Sequence, residues 1–312
     1  MQKSIFYVAY VFCLAATMTF SSALYAQAVP ELQKECAAGR AISCFNLAAM
    51  YDNGEGVRQD KVKAFEFYQK ACLGGRAAGC YNLGFMYDNG EGVGQDKAKA
   101  LAFYQQACDG GVAIGCSNSG VMYSNGEGVR ADKRKAAEFY QKACGGGIPS
   151  GCYNLGVLYD NGQGVREDKL EAVALYQKAC DREVAGGCYS LGVIYSRGVG
   201  VREDKVQAAD FYQKACNRGI AKGCYNLGAM YKNGDGVRED RSKAGELYQQ
   251  ACDASVAGSC DILGAMYSNG EGVPQDKIKA LALYDKACNL KLEQGCKKHA
   301  GRWYYADGAM LD

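Results

Sequence analysis

From Cys80 the chain reads Cys-Tyr-Asn-Leu-Gly-Phe-Met-Tyr, and Cys80, Leu83, Gly84 and Tyr87 fall at i, i+3, i+4 and i+7. That is the spacing of one helical face. The polar stretch Asp88-Asn89-Gly90-Glu91-Gly92-Val93 follows, and glycine readily takes the left-handed conformation in which helices end. Asp96 then stands as an N-cap before a second run that carries Ala100, Phe103, Tyr104, Ala107 and Cys108 on one face. The pattern predicts an antiparallel helix pair, a leading and a trailing helix, joined by a short glycine-rich loop. Small residues at Gly84, Ala100 and Ala107 leave room for close approach, and Tyr87 and Tyr104 fill the space around them.

The same letters return every 36 residues. Loop glycines recur from Gly54/Gly56 to Gly270/Gly272, caps from Asp60 to Asp276, and trailing-helix tyrosines from Tyr68 to Tyr284. This predicts seven full helix pairs, with a half unit before them (Pro30 to Cys36) and another after (Cys296 onward). Units that can bury their faces only against neighbours stack into one array, which overrides the one or two domains that length alone suggests. The organisation expected is 1–26 as a signal peptide, 27–43 as an N-terminal half-repeat cap, 44–293 as the solenoid and 294–312 as a C-terminal half-repeat cap. The last unit departs from the pattern: Asp307-Gly308 has lost the Gly-x-Gly loop, and Lys297-Lys298-His299 replaces the Tyr-Asn-Leu run.

The cysteines sharpen this picture. Of 17, all but Cys13 fall into eight pairs, each eight residues apart and each 36 after the last: Cys36/Cys44, Cys72/Cys80, Cys108/Cys116, Cys144/Cys152, Cys180/Cys188, Cys216/Cys224, Cys252/Cys260 and Cys288/Cys296. In an exported chain such spacing implies disulfides, and one repeat being one structural unit implies that each pair bonds internally. Zinc is the competing reading, but it needs four ligands per site, and the chain has a single histidine, His299. Export itself is read from the N-terminus: a basic start, an apolar run from Ile5 to about Phe20, and small residues ending at Ala26. A membrane anchor is the alternative, though the tail of that segment is small and polar. The expected location is secreted or periplasmic, with no membrane association after cleavage. A net charge of +2 argues against nucleic acid as the main partner, and 48% apolar residues argue against a disordered chain.

Leu83-Gly84-Phe85-Met86-Tyr87-Asp88-Asn89-Gly90-Glu91-Gly92-Val93, followed by Asp96-Lys97, Tyr104 and Ala107-Cys108, resembles the Sel-like repeat, a relative of the tetratricopeptide repeat. The added cysteine pair is similar to that of the secreted cysteine-rich Sel-like repeat proteins of the Helicobacter Hcp type. The resemblance covers essentially all of 30–300, with local departures at Ala48, Ser119 and Ile262. It implies an all-α fold, a right-handed α/α solenoid of about seven 36-residue repeats, each stapled by a Cys-x7-Cys disulfide. It also implies a scaffold that binds a protein or peptide ligand, with host interaction as one setting. Because such proteins have been linked to penicillin binding and slow β-lactam hydrolysis, a weak β-lactamase is the alternative function and a β-lactam the alternative ligand.

The residues themselves offer little chemistry. Ser-x-x-Lys is absent from the mature chain, and Lys-Thr-Gly cannot occur there because Thr17 and Thr19 are the only threonines. Gly-x-Ser-x-Gly is absent too. A Ser-His-Asp triad could use only His299, in the degenerate last unit. The Gly-Glu-Gly loops follow helices rather than strands, so they are not dinucleotide fingerprints. Glu55, Glu91, Glu127 and Glu271 recur at one offset and read as a solvated ridge. No cofactor and no metal is expected, and no catalytic residue is assigned.

A ligand face is expected where asparagine, a poor mid-helix residue, recurs on the leading helices at Asn46, Asn82, Asn118, Asn154 and Asn226. One explanation is structural, an amide bonding the backbone of the neighbouring repeat. The other is a ladder for the backbone of an extended peptide on a concave face. Phe45, Tyr81, Tyr153, Tyr189 and Tyr225 precede this position and supply either inter-repeat packing or ligand contact.

Overall fold

A computed structural model describes residues 28–290. Residues 1–26, expected to be a signal peptide, residues 294–312, expected to be a C-terminal half unit, and Cys296 and His299 lie outside those residues. Helix α1 covers 28–37. The leading helices are α2 (Ala41–Asn53), α4 (Ala77–Asn89), α6 (Ala113–Asn125), α8 (Pro149–Asn161), α10 (Ala185–Arg197), α12 (Ala221–Asn233) and α14 (Ala257–Asn269). The trailing helices are α3 (Lys61–Leu73), α5 (Lys97–Asp109), α7 (Lys133–Gly145), α9 (Lys169–Asp181), α11 (Lys205–Asn217), α13 (Arg241–Asp253) and α15 (Lys277–Asn289). All described secondary structure is helical, and the seven pairs are the repeats of a solenoid. Two compact units result, one of residues up to Gly151 with Gln163–Val165, the other of Cys152–Gly162 with Arg166 onward.

Local chemistry sets the helix ends. Each trailing helix starts on its predicted aspartate; the Asp96 carboxylate, for example, accepts from the Lys99 backbone N–H at 3.0 Å. The leading helices have no side-chain cap of this kind. They begin three residues before the cysteine and stop at a left-handed glycine, Gly90 (φ 75°) in the case of α4. The second loop glycine has a different role. At Gly92 (φ 68°) a Cβ would lie 2.3 Å from the Lys61 carbonyl oxygen, so this loop lies directly on the first residue of the preceding trailing helix. Gly128 meets Lys97 and Gly164 meets Lys133 in the same way, and in the second unit Gly236 meets Lys205.

Within a pair, the predicted close approach occurs. The Gly84 Cα faces the Tyr104 ring, where a Cβ would be only 2.6 Å from a ring carbon. Leu83, Met86, Ala100, Tyr104 and Ala107 are buried around this contact; large side chains of this kind stabilise by about 1.5–3 kcal/mol each when fully buried.

Bridges join Cys36–Cys44, Cys72–Cys80, Cys108–Cys116, Cys180–Cys188, Cys216–Cys224 and Cys252–Cys260, with Cα atoms 4.7–4.8 Å apart. Cys144, Cys152 and Cys288 are disulfide-bonded as well. Each of these six bridges after Cys36–Cys44 ties the last turn of a trailing helix to the first turn of the next leading helix. It thus covalently fixes the junction at which one repeat hands over to the next.

Candidate functional site

Asn46 is exposed on α2, and Asn82, Asn118, Asn154 and Asn226 are half-buried at the same register of their helices. In the first unit the Asn82 amide lies near the Tyr68 hydroxyl of the preceding repeat, and Asn118 lies near Tyr104 in the same way. In the second unit Asn226 reaches Tyr212, and Ser190, which holds this position in its own repeat, reaches Tyr176. The inter-repeat neighbour of these three amides is a side-chain phenol.

The phenol belongs to a longer polar chain. Tyr68 donates to Asp52 (3.5 Å), Tyr104 to Asp88 (3.4 Å) and Tyr176 to Asp160 (3.3 Å). The same aspartates pair with the first residue of the trailing helix: Lys61 at 2.6 Å, Lys97 at 2.5 Å and Lys169 at 2.9 Å. Lys61 continues to Glu91 of the next repeat at 2.9 Å, and Lys97 to Glu127 at 3.6 Å. Burial, and then the neighbouring aspartate charge, pushes the Tyr68, Tyr104 and Tyr176 phenols well above the ordinary phenol range. Hydrogen bonds to Asp52, Asp88 and Asp160 raise Lys61, Lys97 and Lys169 in turn. The loop glutamates, read from sequence as a solvated ridge, are thus in part inter-repeat struts. The clue in the sequence is that Asp at 52, 88 and 160 is each followed nine residues later by Lys.

The aromatic row sits beside the amides. Phe45, Tyr81, Tyr153, Tyr189 and Tyr225 pack on Tyr68, Tyr104, Tyr176, Tyr212 and Tyr248 of their own repeats, with ring centroids 5.6–5.9 Å apart. Tyr153 and Tyr225 also lie against Gly186 and Gly258 of the following repeat. All five rings stay half-buried, so packing and outward contact area coexist. Phe85, one turn after Asn82, is 44% exposed where the equivalent residues of α2 and α6 are Ala49 and Val121.

One cluster escaped the motif search. The Lys133 ammonium donates to Ser124 Oγ at 2.6 Å, and the Tyr140 phenol lies nearby. The Ser-x-x-Lys spacing does not cover a serine and lysine nine positions apart that meet across the loop between α6 and α7. Among the described residues no group of His, Cys, Asp and Glu is arranged to hold a metal, and no helix is long and apolar enough to cross a membrane.

Comparison with known proteins fits this architecture. The Sel1 repeat family matches residues 41–75, 77–112, 113–147, 149–184, 185–220, 221–256 and 258–292. A protective antigen of uropathogenic Escherichia coli strains displaying an SLR fold is similar at 30% identity and a TM-score of 0.85, over 91% of this chain and 61% of that one. The chain thus spans about three-fifths of that relative's length. A Sel1 repeat protein from Oxalobacter formigenes is similar at 26% identity and a TM-score of 0.72, over 87% of this chain and 79% of that one. Helicobacter pylori cysteine rich protein B is 32% identical over 42% of this chain and 95% of its own, with a TM-score of 0.35. No curated protein matches the chain.

Proposed function

Because the chain belongs to the Sel1 repeat family, whose arrays are generally protein-interaction modules, we propose that it is a binding scaffold for an extended peptide segment of a partner protein. It works outside the cytoplasm, secreted or in the periplasm, where its disulfides persist. The observation that carries the reading is the register of the leading helices. In the first unit Asn46, Asn82 and Asn118, with Phe45, Tyr81 and the exposed Phe85 beside them, repeat once per unit and none is buried. A peptide laid across the helices meets one amide per repeat and an apolar anchor at Phe85. Selection of displayed peptides on the oxidised protein tests this. Selected peptides should bind the double variant Asn82→Ala/Phe85→Ala at least about tenfold more weakly. Unchanged affinity in a variant with unchanged helix content would overturn the assignment.

A second reading, acyl transfer from β-lactams, has one observation in its favour: Ser124 Oγ accepts from the Lys133 ammonium at 2.6 Å, with the Tyr140 phenol nearby. Either group, once deprotonated, can take the serine proton as Oγ attacks the ring carbonyl. Saturable turnover that follows the purified protein, together with a covalent adduct lost in Ser124→Ala, supports it. No turnover above a mock purification retires it.

A further inference from the structure

Every trailing helix begins with a cation, a residue type that the positive end of a helix disfavours. Elsewhere the charge is answered: Lys61 by Asp52 and Glu91, Lys97 by Asp88 and Glu127. In the third repeat both answers are missing. Ser124 replaces the aspartate, and Gln163 replaces the glutamate of the next loop. Lys133 keeps only the neutral Ser124 hydroxyl, and the next two residues of α7 are Arg134 and Lys135. Lys135 lies over the Tyr123 ring at 5.2 Å, and Arg130 projects from the adjoining loop. Among the described residues no carboxylate pairs with any of these four cations.

These cations line an open pocket of about 580 Å³. A pocket at the same register of the fifth repeat has about 550 Å³; each pocket includes its N-cap aspartate, Asp132 or Asp204, but the fifth has only Arg202 and Lys205 as cations and adds Glu203, 3.5 Å from Lys205, where the third has Ala131. Size is similar in the two pockets, and of the two the third-repeat pocket carries the excess of positive charge. The free helix amides are not the attraction, because Asp132 already accepts from the Arg134 and Lys135 N–H groups.

We propose that this pocket is a docking site for an acidic segment of a partner protein, a short run of Asp and Glu. The cations are long side chains spread over a loop and a helical turn. Such a spread matches carboxylates distributed along a peptide better than one compact phosphate, which calls for converging backbone donors. The site lies apart from the leading-helix amides and does not depend on the reading given for them.

Fluorescence anisotropy with a labelled oligoglutamate peptide on the full, oxidised chain tests the proposal. The expected result is saturable binding that weakens at least about tenfold in Arg130→Ala/Arg134→Ala and is unchanged in Arg202→Ala. Both arginines of the test pair are exposed and unpaired, so helix content should not change. Four results overturn the proposal: no saturable binding, equal weakening by Arg202→Ala, equal binding of a single-stranded oligonucleotide, or complete displacement by equimolar inorganic phosphate.

Discussion

Replacing Gly92 by alanine puts the stacking geometry to a quantitative test. Gly92 has φ 68°, and a Cβ there would sit 2.3 Å from the Lys61 oxygen and 2.5 Å from its carbonyl carbon. Two costs combine: roughly 1–2 kcal/mol for a left-handed alanine and about 1–3 kcal/mol for forcing apart atoms already in contact. Their sum, about 3 kcal/mol, should fall on the junction between the first and second repeats, because the obstructing atoms are backbone and cannot rotate away. Two neighbours separate the contributions. Gly111 has φ 87° with nothing within 4 Å of a Cβ, so Gly111→Ala should lose only the conformational part, about 1 kcal/mol. Gly94 is outside the left-handed region with open space around it, so Gly94→Ala should be neutral or stabilising by up to about 1 kcal/mol. Urea unfolding followed by circular dichroism ranks the three, and amide exchange in α3 and α4 localises the loss, since repeat arrays loosen by neighbouring units. Equal midpoints for Gly92→Ala and Gly94→Ala would refute the claim that the loop stacks on the preceding helix.

Replacing both Cys108 and Cys116 by serine opens a loop of about nine residues and should cost about 2.5 kcal/mol by loop-closure entropy. An unchanged melting temperature would contradict the role given to the bridges. The buried Ser119 hydroxyl has no hydrogen-bond partner among the described residues, so Ser119→Ala should raise stability by about 1 kcal/mol in urea unfolding, and a loss would contradict this. The unfolded chain gives up tyrosine and lysine protons from about pH 10, whereas the native Tyr68, Tyr104, Tyr176, Lys61, Lys97 and Lys169 hold theirs to higher pH. The native state then binds more protons, so stability is intact below about pH 10 and falls as pH rises beyond it. Tyrosine absorbance titration alongside melts checks this; melts independent of pH across that range would contradict it.

The repeat was legible because its determinants are local and periodic. Asp96 caps and Gly90 terminates within one turn of where they stand, and the cysteine pairs sit eight residues apart in every unit. The helix boundary before Cys80 was less visible, since Ala77-Ala78-Gly79 carries no capping side chain. The candidate face was legible as positions but not as contacts. Asn82 repeats visibly, yet its neighbour Tyr68 comes near only when one repeat is stacked on another. Tyr81 could have packed between repeats but rests on Tyr104 of its own. The third-repeat pocket was hidden for the same reason: Ser124 and Gln163 look like minor departures until the structure sets both positions around Lys133.

The central claim is that a peptide partner lies along the leading helices. Photo-cross-linking a selected peptide to the oxidised protein and mapping the attached residues tests it most directly. The account predicts cross-links at the Asn82, Phe85 and Asn118 face of α4 and α6. Cross-links confined to trailing-helix surfaces would contradict it.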